Sequence, residues 1–329
     1  MSKRYWNLSL YRLIATLCII EFHIFFVLVP TAIPFMTLLS KCVQGLTALS
    51  GFLMSQKLIS DYKQYYFSQT KKIIIPALVC FTIMLLWNLI FLIATKGNDY
   101  VSLFFAKRPY GGMLLAEPGN YYYIPFILIC YFATPLLKKN KICKYLASLI
   151  LIIGEFTFSY FFRSPIIITA FLIGYYVGEI FFYDYVKYDK HRYYYHLSFW
   201  LILTGLSVFC YYLSLNNIVV NKANSLWVLL LNNYILTIFG VGTLFIISLF
   251  AISINKISNI SLLRFSDNIT YTTYLLDQAF LIGGMNVAAW SSNFALQHLT
   301  VYIFTLSFGI IAYYLSKKII NLLTFKKHI

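Results

Sequence analysis

The chain has 329 residues, of which 60% are hydrophobic and 11% charged, with a formal net charge of +16. Soluble domains carry about 25% charged residues, so this composition excludes a soluble globular enzyme and predicts a polytopic membrane protein. The basic excess excludes nucleic acid as its explanation: Lys and Arg sit in short segments between apolar runs, the distribution that membrane topology produces.

The first apolar run, about 8–29, follows Lys3 and Arg4. It is too long for the core of a signal peptide, it carries titratable groups, and no A-x-A site follows it, so it reads as a retained span. Further runs of about 20 residues, the length a span requires, lie at about 36–56 (or starting nearer Cys42), 73–95, 121–137, 146–162, 165–183, 197–214, 225–253, 269–287 and 297–316. No repeat, low-complexity tract or soluble domain interrupts them. The expected fold is all-α: a single integral-membrane domain over 1–329 with about ten transmembrane helices. With the N-terminus inside, nineteen Lys and Arg fall on the inner side and six on the outer, among them Lys41 at the outer end of the second span. This bias predicts cytoplasmic N- and C-termini for a multi-pass protein of the cell (plasma or inner) membrane. The long outer segments are Lys96–Asn120, containing "KRPYGGMLLAEPGN", and Leu215–Asn224. The abundant Tyr and Phe read as interfacial belts and lipid contacts. Cys18, Cys80, Cys130 and Cys210 lie within apolar runs and read as small core hydrophobes, and no His/Cys spacing suggests a metal.

A charge at a helix centre costs on the order of 2.5–3.5 kcal/mol, so such groups face a bundle interior or a wet cavity and mark function. They are Arg12, Glu21 and His23 in the first span, then Asn88, Glu155, Glu179, Asn232, Asn233, Asp277, Gln278 and His298. Arg12 and His23 are eleven residues apart. On an ideal helix they differ by about 20° around the axis and about 16 Å along it. One face of the span therefore carries a fixed cation near the cytoplasm and a titratable base deeper. Glu21 points about 200° away from His23.

Five stretches carry a family likeness. They are Arg12-"LIATLCIIEF"-His23, "ALSGFLMSQKL" (Ala48–Leu58), "SQTKKIIIPAL" (Ser68–Leu78), "NYYYIPFILICYFATPLL" (Asn120–Leu137) and "NITYTTYLLDQ" (Asn268–Gln278). In this order they resemble the membrane-bound acyltransferase-3 family, whose first span has Arg or Lys, ten residues, then His. The likeness runs from about Leu8 to Leu315 and departs at three places. The R-x-x-R before the Pro of the third span is Gln69 and Lys72 here, the usual Trp ahead of the fourth span is Tyr121–Tyr123, and the late His is Asp277.

The resemblance implies a bacterial O-acyltransferase that carries an acyl group, usually acetyl, from cytoplasmic acyl-CoA to an extracytoplasmic surface polysaccharide or lipid-linked oligosaccharide, with membrane lipid around it. Acetyl-CoA is then the donor substrate. Arg12, Lys71 and Lys72 would hold its anionic end. His23 would act as general base on a sugar hydroxyl or accept the acyl group itself. Glu155 is a candidate to orient His23 or another base, and Asp277 a further catalytic candidate. Ser50 and Gly51 read as close-packing positions. The competing class is a transporter or flippase of a lipid-linked glycan or small solute. It would favour inverted repeats and helices broken at mid-depth, whereas Pro76, Pro125, Pro135 and Pro165 lie near span ends.

Overall fold

Backbone groups in lipid must be hydrogen-bonded within the chain, which leaves apolar runs of this length one economical solution, the α-helix. The structure, a computed structural model, describes residues 5–29, 33–95, 123–162, 165–215, 226–253, 261–277, 279–282 and 287–325. Both long outer segments, 96–120 and 216–224, lie outside the described residues, as do Gln278 and the side chain of Asn88. Among the described residues there is no strand. The helices are α1 (Trp6–Leu28), α2 (Ile33–Ser40), α3 (Cys42–Ser55), α4 (Tyr62–Thr95), α5 (Tyr123–Lys139), α6 (Lys141–Phe162), α7 (Ile168–Phe181), α8 (Lys190–Leu215), α9 (Leu226–Ser253), α10 (Ser261–Leu276), α11 (Ala279–Ile282) and α12 (Phe294–Phe325). Short 3₁₀ turns follow at Phe182–Tyr185 and Val287–Trp290.

Six of these helices, α1, α4, α6, α8, α9 and α12, are long and apolar enough to cross a membrane. The remaining expected spans take shorter forms. The run at 36–56 is split at Lys41 into α2 and α3; α3 and α7 have 14 residues each, α10 has 16 and α5 has 17. A 14-residue helix covers about 21 Å, less than the roughly 30 Å of a hydrocarbon core. The count of ten spans thus depends on how these shorter helices are completed. The third run also starts earlier than expected: α4 is already helical at Tyr62, and Lys71 and Lys72 lie within it. On α6, Leu146, Leu149, Ile150 and Ile153 are exposed. Such a stripe would be a liability in water and is a lipid-facing surface in a bilayer.

The chain forms two compact units. Unit one contains residues 1–18, 37–62 and 129–264. Its centre is α3 against α7, with α9 packed on α3 and α8. The α3–α7 approach depends on missing side chains. A Cβ at Gly51 would run into the Phe171 carbonyl, and one at Gly174 into the Ala48 carbonyl. Small residues at a helix crossing let backbones come together where lipid offers no hydrophobic drive for association. At the Ser55 end of α3, Phe52 stacks on Phe182 at 5.0 Å and Trp200 on Phe245 at 4.8 Å, while Asn7 donates its Nδ2–H to the Tyr185 carbonyl at 2.8 Å.

Unit two contains residues 19–36, 63–128 and 265–329. Its organising helix is α10, whose threonines are buried. Thr272 donates from its hydroxyl to the Gly309 carbonyl of α12 at 2.8 Å. Tyr271 donates to the Ile73 carbonyl of α4 at 3.3 Å. Farther along α4, Trp87 packs edge-on against Phe280, Phe304 and Phe308.

The α3–α7 crossing is open to a direct test. Overpacking a close contact costs about 1–3 kcal/mol, so Gly174→Leu should lower the melting temperature of the detergent-purified protein. Gly154→Leu on α6, where a Cβ meets nothing within 4 Å, should be neutral. Equal melting temperatures for the two variants would refute the close-approach account.

Candidate active site

His23 and Asp277 are the two ionisable groups that unit two buries most directly together. His23 sits near the C-terminal end of α1, 7% exposed, and Asp277 follows the last residue of α10, 0% exposed. The Asp277 N–H still bonds the Thr273 carbonyl at 3.1 Å, so its backbone continues the α10 spiral by one residue. Its carboxylate Oδ2 lies 2.7 Å from His23 Nδ1. A carboxylate at a helix C-terminus faces the negative end of the macrodipole, and burial removes water. The imidazole supplies the compensating donor. With Nδ1–H given to Asp277, the neutral ring carries its lone pair on Nε2, the tautomer that can take a proton from a hydroxyl. This is the base–orienter relation of acyl-transfer triads, recognised by geometry.

Two family-like stretches of unit two meet one turn before Asp277. Tyr274, one turn before Asp277, is buried against Tyr123 at a centroid distance of 5.6 Å. Tyr123 belongs to the aromatic stretch that leads into α5. The basic stretch lies on α4. Lys71 is half-buried, with Nζ 4.0 Å over the Phe67 ring, and Lys72 is exposed. Gln69, where the family pattern has its first Arg, is buried, and its Nε2 has no partner among the described residues. Pro76 lies inside α4. It has no N–H to give the Lys72 carbonyl, so that oxygen lacks its helical donor.

In unit one, Arg12 is half-buried on α1. It lies within electrostatic reach of the Tyr131 phenol on α5, which hydrogen-bonds Ser50 of α3. Ser50 therefore does more than permit packing: the L-S-G-F-L-like stretch supplies a polar group next to the Arg12 neighbourhood. Nothing in the sequence signal nominated Tyr131, one of many aromatic residues in an apolar run.

Glu155 has a different neighbourhood from the one expected of it. Its two carboxylate oxygens accept the backbone N–H groups of Ile167, Ile168 and Thr169 at 2.5–2.8 Å and the Thr169 hydroxyl at 2.6 Å. It caps the start of α7, whose first turn has no acidic residue of its own. The carboxylate on His23 Nδ1 is that of Asp277 instead. Among the described residues, other deep polar groups also find local partners. Asn232 donates to Ser214, Lys144 pairs with Glu179 at 2.8 Å, and Glu21 accepts the Tyr302 hydroxyl at 2.8 Å with His298 Nε2 at 3.4 Å.

The family model described as an acyltransferase domain matches residues 5–322, nearly the whole chain. No curated protein and no solved structure matches it. The chain belongs to the acyltransferase-3 family and is a membrane acyltransferase.

Removing the α7 cap should be felt as stability. Glu155→Gln keeps the volume but replaces the charged acceptor, and charge-assisted bonds of this kind contribute about 1.5–3 kcal/mol. The expected result is a lower melting temperature in detergent. An unchanged melting temperature would show that the cap contributes nothing.

Proposed function

We propose that this acyltransferase moves an acyl group, acetyl as the simplest case, from cytoplasmic acyl-CoA to a hydroxyl of an extracytoplasmic or lipid-linked glycan, with His23 as the base. The observation that carries the reading is the buried pair at 2.7 Å between His23 of the first span and Asp277 at the end of α10, in a chain whose family transfers acyl groups. The charge bias of the loops supports cytoplasmic termini in the plasma or inner membrane. In that orientation the start of α4, with Lys71 and Lys72, faces the compartment that holds acyl-CoA. Arg12 lies toward the same end of α1, and His23 lies about 16 Å farther along that continuous helix. A thioester is uncharged and its pantetheine arm is slender, so it can extend along a helix face while its phosphates stay with the cations.

In the chemical step the acceptor hydroxyl gives its proton to His23 Nε2 as its oxygen attacks the thioester carbonyl. The imidazolium that forms is held by the Asp277 carboxylate. Collapse of the tetrahedral intermediate breaks the C–S bond, and the imidazolium returns the proton to the leaving sulfur. The products are the glycan ester and CoA thiol, with no net proton change. Asp277 thereby replaces the late His of the family pattern: a carboxylate cannot repeat the work of a neutral base, but it can fix the tautomer of one.

His23→Ala should abolish acylation of the surface glycan, measured by mass spectrometry of polysaccharide from cells carrying each variant at equal membrane levels. Asp277→Asn should lower the rate by about 10²–10⁴-fold, the usual range for losing a general base or its orienting partner. Undiminished acylation by His23→Ala sinks the mechanism, and an acyl adduct trapped on His23 by rapid quenching would replace base catalysis with acyl carriage. For the donor, Arg12→Ala and Lys72→Ala in lipid discs should each weaken acetyl-CoA binding by about tenfold. Unchanged affinity in both removes the proposed donor site.

A further inference from the structure

Lys41 stands apart from the other basic residues. It occupies the single residue between α2 and α3, and it is 8% exposed. A lysine near a membrane boundary ordinarily extends its ammonium to the headgroups. This one turns inward. Its Nζ donates to the Asn233 side-chain oxygen of α9 at a long 3.4 Å, and among the described residues no carboxylate pairs with it. A buried ammonium left with one weak neutral acceptor is among the costlier arrangements a protein can hold.

A second group in the same place also lacks its complement. Gln44 is one turn farther along α3, on the same face, and is 3% exposed with its Oε1 unpartnered among the described residues. Both residues pack on α9 at one point: a Cβ at Gly240 would meet the Lys41 carbonyl and the Gln44 Cβ. From there the Lys41 side chain runs toward Asn233, two turns nearer the N-terminal end of α9. Every one of these residues lies in unit one. They gather at the end of α3 remote from Ser55 and Lys57, which is the extracytoplasmic end in the orientation proposed above.

The two deficits are complementary. The ammonium lacks an anion, and the amide oxygen lacks a hydrogen-bond donor. A neutral sugar would satisfy only the second, and an inorganic anion only the first. We infer that Lys41, Gln44 and Asn233 receive a group that is both anionic and hydroxyl-bearing, so that the acceptor is an acidic glycan, carrying a carboxylate or a phosphodiester beside free hydroxyls. This rests on the reading of the chain as a glycan acyltransferase. It adds the substrate class: the acceptor is selected by its charge at a site separate in sequence from the His23 machinery.

Binding can be measured without donor, using the full chain in phosphatidylcholine discs and microscale thermophoresis. Three oligosaccharides of equal length serve as probes: one with uronic acid, one joined by phosphodiesters, one neutral. At least one acidic probe should bind about tenfold tighter than the neutral probe, a preference that fades as salt is raised. Lys41→Gln should erase the preference, and Lys41→Arg should keep part of it. Gln44→Leu, which leaves the charge in place, should weaken acidic probes by about threefold or more and serves if Lys41→Gln does not fold. Equal binding of all three probes, or a preference that survives Lys41→Gln, overturns the inference. Loss of acidic-probe binding when phosphatidylglycerol is added to the discs reassigns the site to a lipid headgroup and also overturns it. The outcome is separable from that of the acyl-transfer mechanism, because His23→Ala should retain the charge preference.

Discussion

A carboxylate within a membrane bundle must be met by donors from the protein itself, because lipid offers none. The deep carboxylates of this chain meet that constraint in different ways, and each solution places a helix. Glu155 gathers the bare N–H groups at the start of α7 and so joins α6 to α7. Glu21 takes the Tyr302 hydroxyl and joins α1 to α12. Asp277 takes the His23 imidazole and joins α10 to α1. The partners of Glu155 are backbone amides and a hydroxyl, whereas Glu21 also faces the His298 imidazole and Asp277 that of His23. Of the two imidazole pairs, the third arrangement is the buried one, at 7% and 0% exposure for His23 and Asp277.

Much of this was legible in the residues before any coordinates. Hydropathy identified the membrane segments because the cost of polar groups in lipid acts locally along the chain. The Arg12–His23 face followed from helical spacing alone, and α1 is continuous across both. Asp277 and Glu155 stand out in the sequence as polar residues at depth. Their partners were not readable, because which carboxylate reaches which helix depends on how helices cross. Those crossings are decided by close approaches such as Gly51 to Phe171, which no periodicity encodes. Of the two starts the sequence leaves open for the second run, the helix from Cys42 is the one that packs, with Lys41 separating it from α2, and the apolar residues of α3 and α7 serve helix–helix packing more than bilayer thickness.

The family match and the site bear on each other through a substitution. A family pattern with His at the end of its last signature stretch meets Asp277 here, with no loss of a partner for His23. An imidazole at that position could also hydrogen-bond His23, but it would bring no charge. The carboxylate brings one, which in the proposed mechanism would stabilise the imidazolium. In the proposed mechanism the exchange changes how strongly the His23 base is supported.

The length of α4 has a mechanical consequence. Its 34 residues make a continuous rod of about 51 Å, well beyond the roughly 30 Å of a hydrocarbon core. Lys71 and Lys72 lie within its first half, and the next residue, Ile73, together with Cys80 ties it to α10 through Tyr271 and Thr272. Thr272 lies five residues before Asp277. The helix that leads into Asp277 is thus hydrogen-bonded to α4 at the residue directly after Lys72, so that a displacement of α4 there is passed to α10.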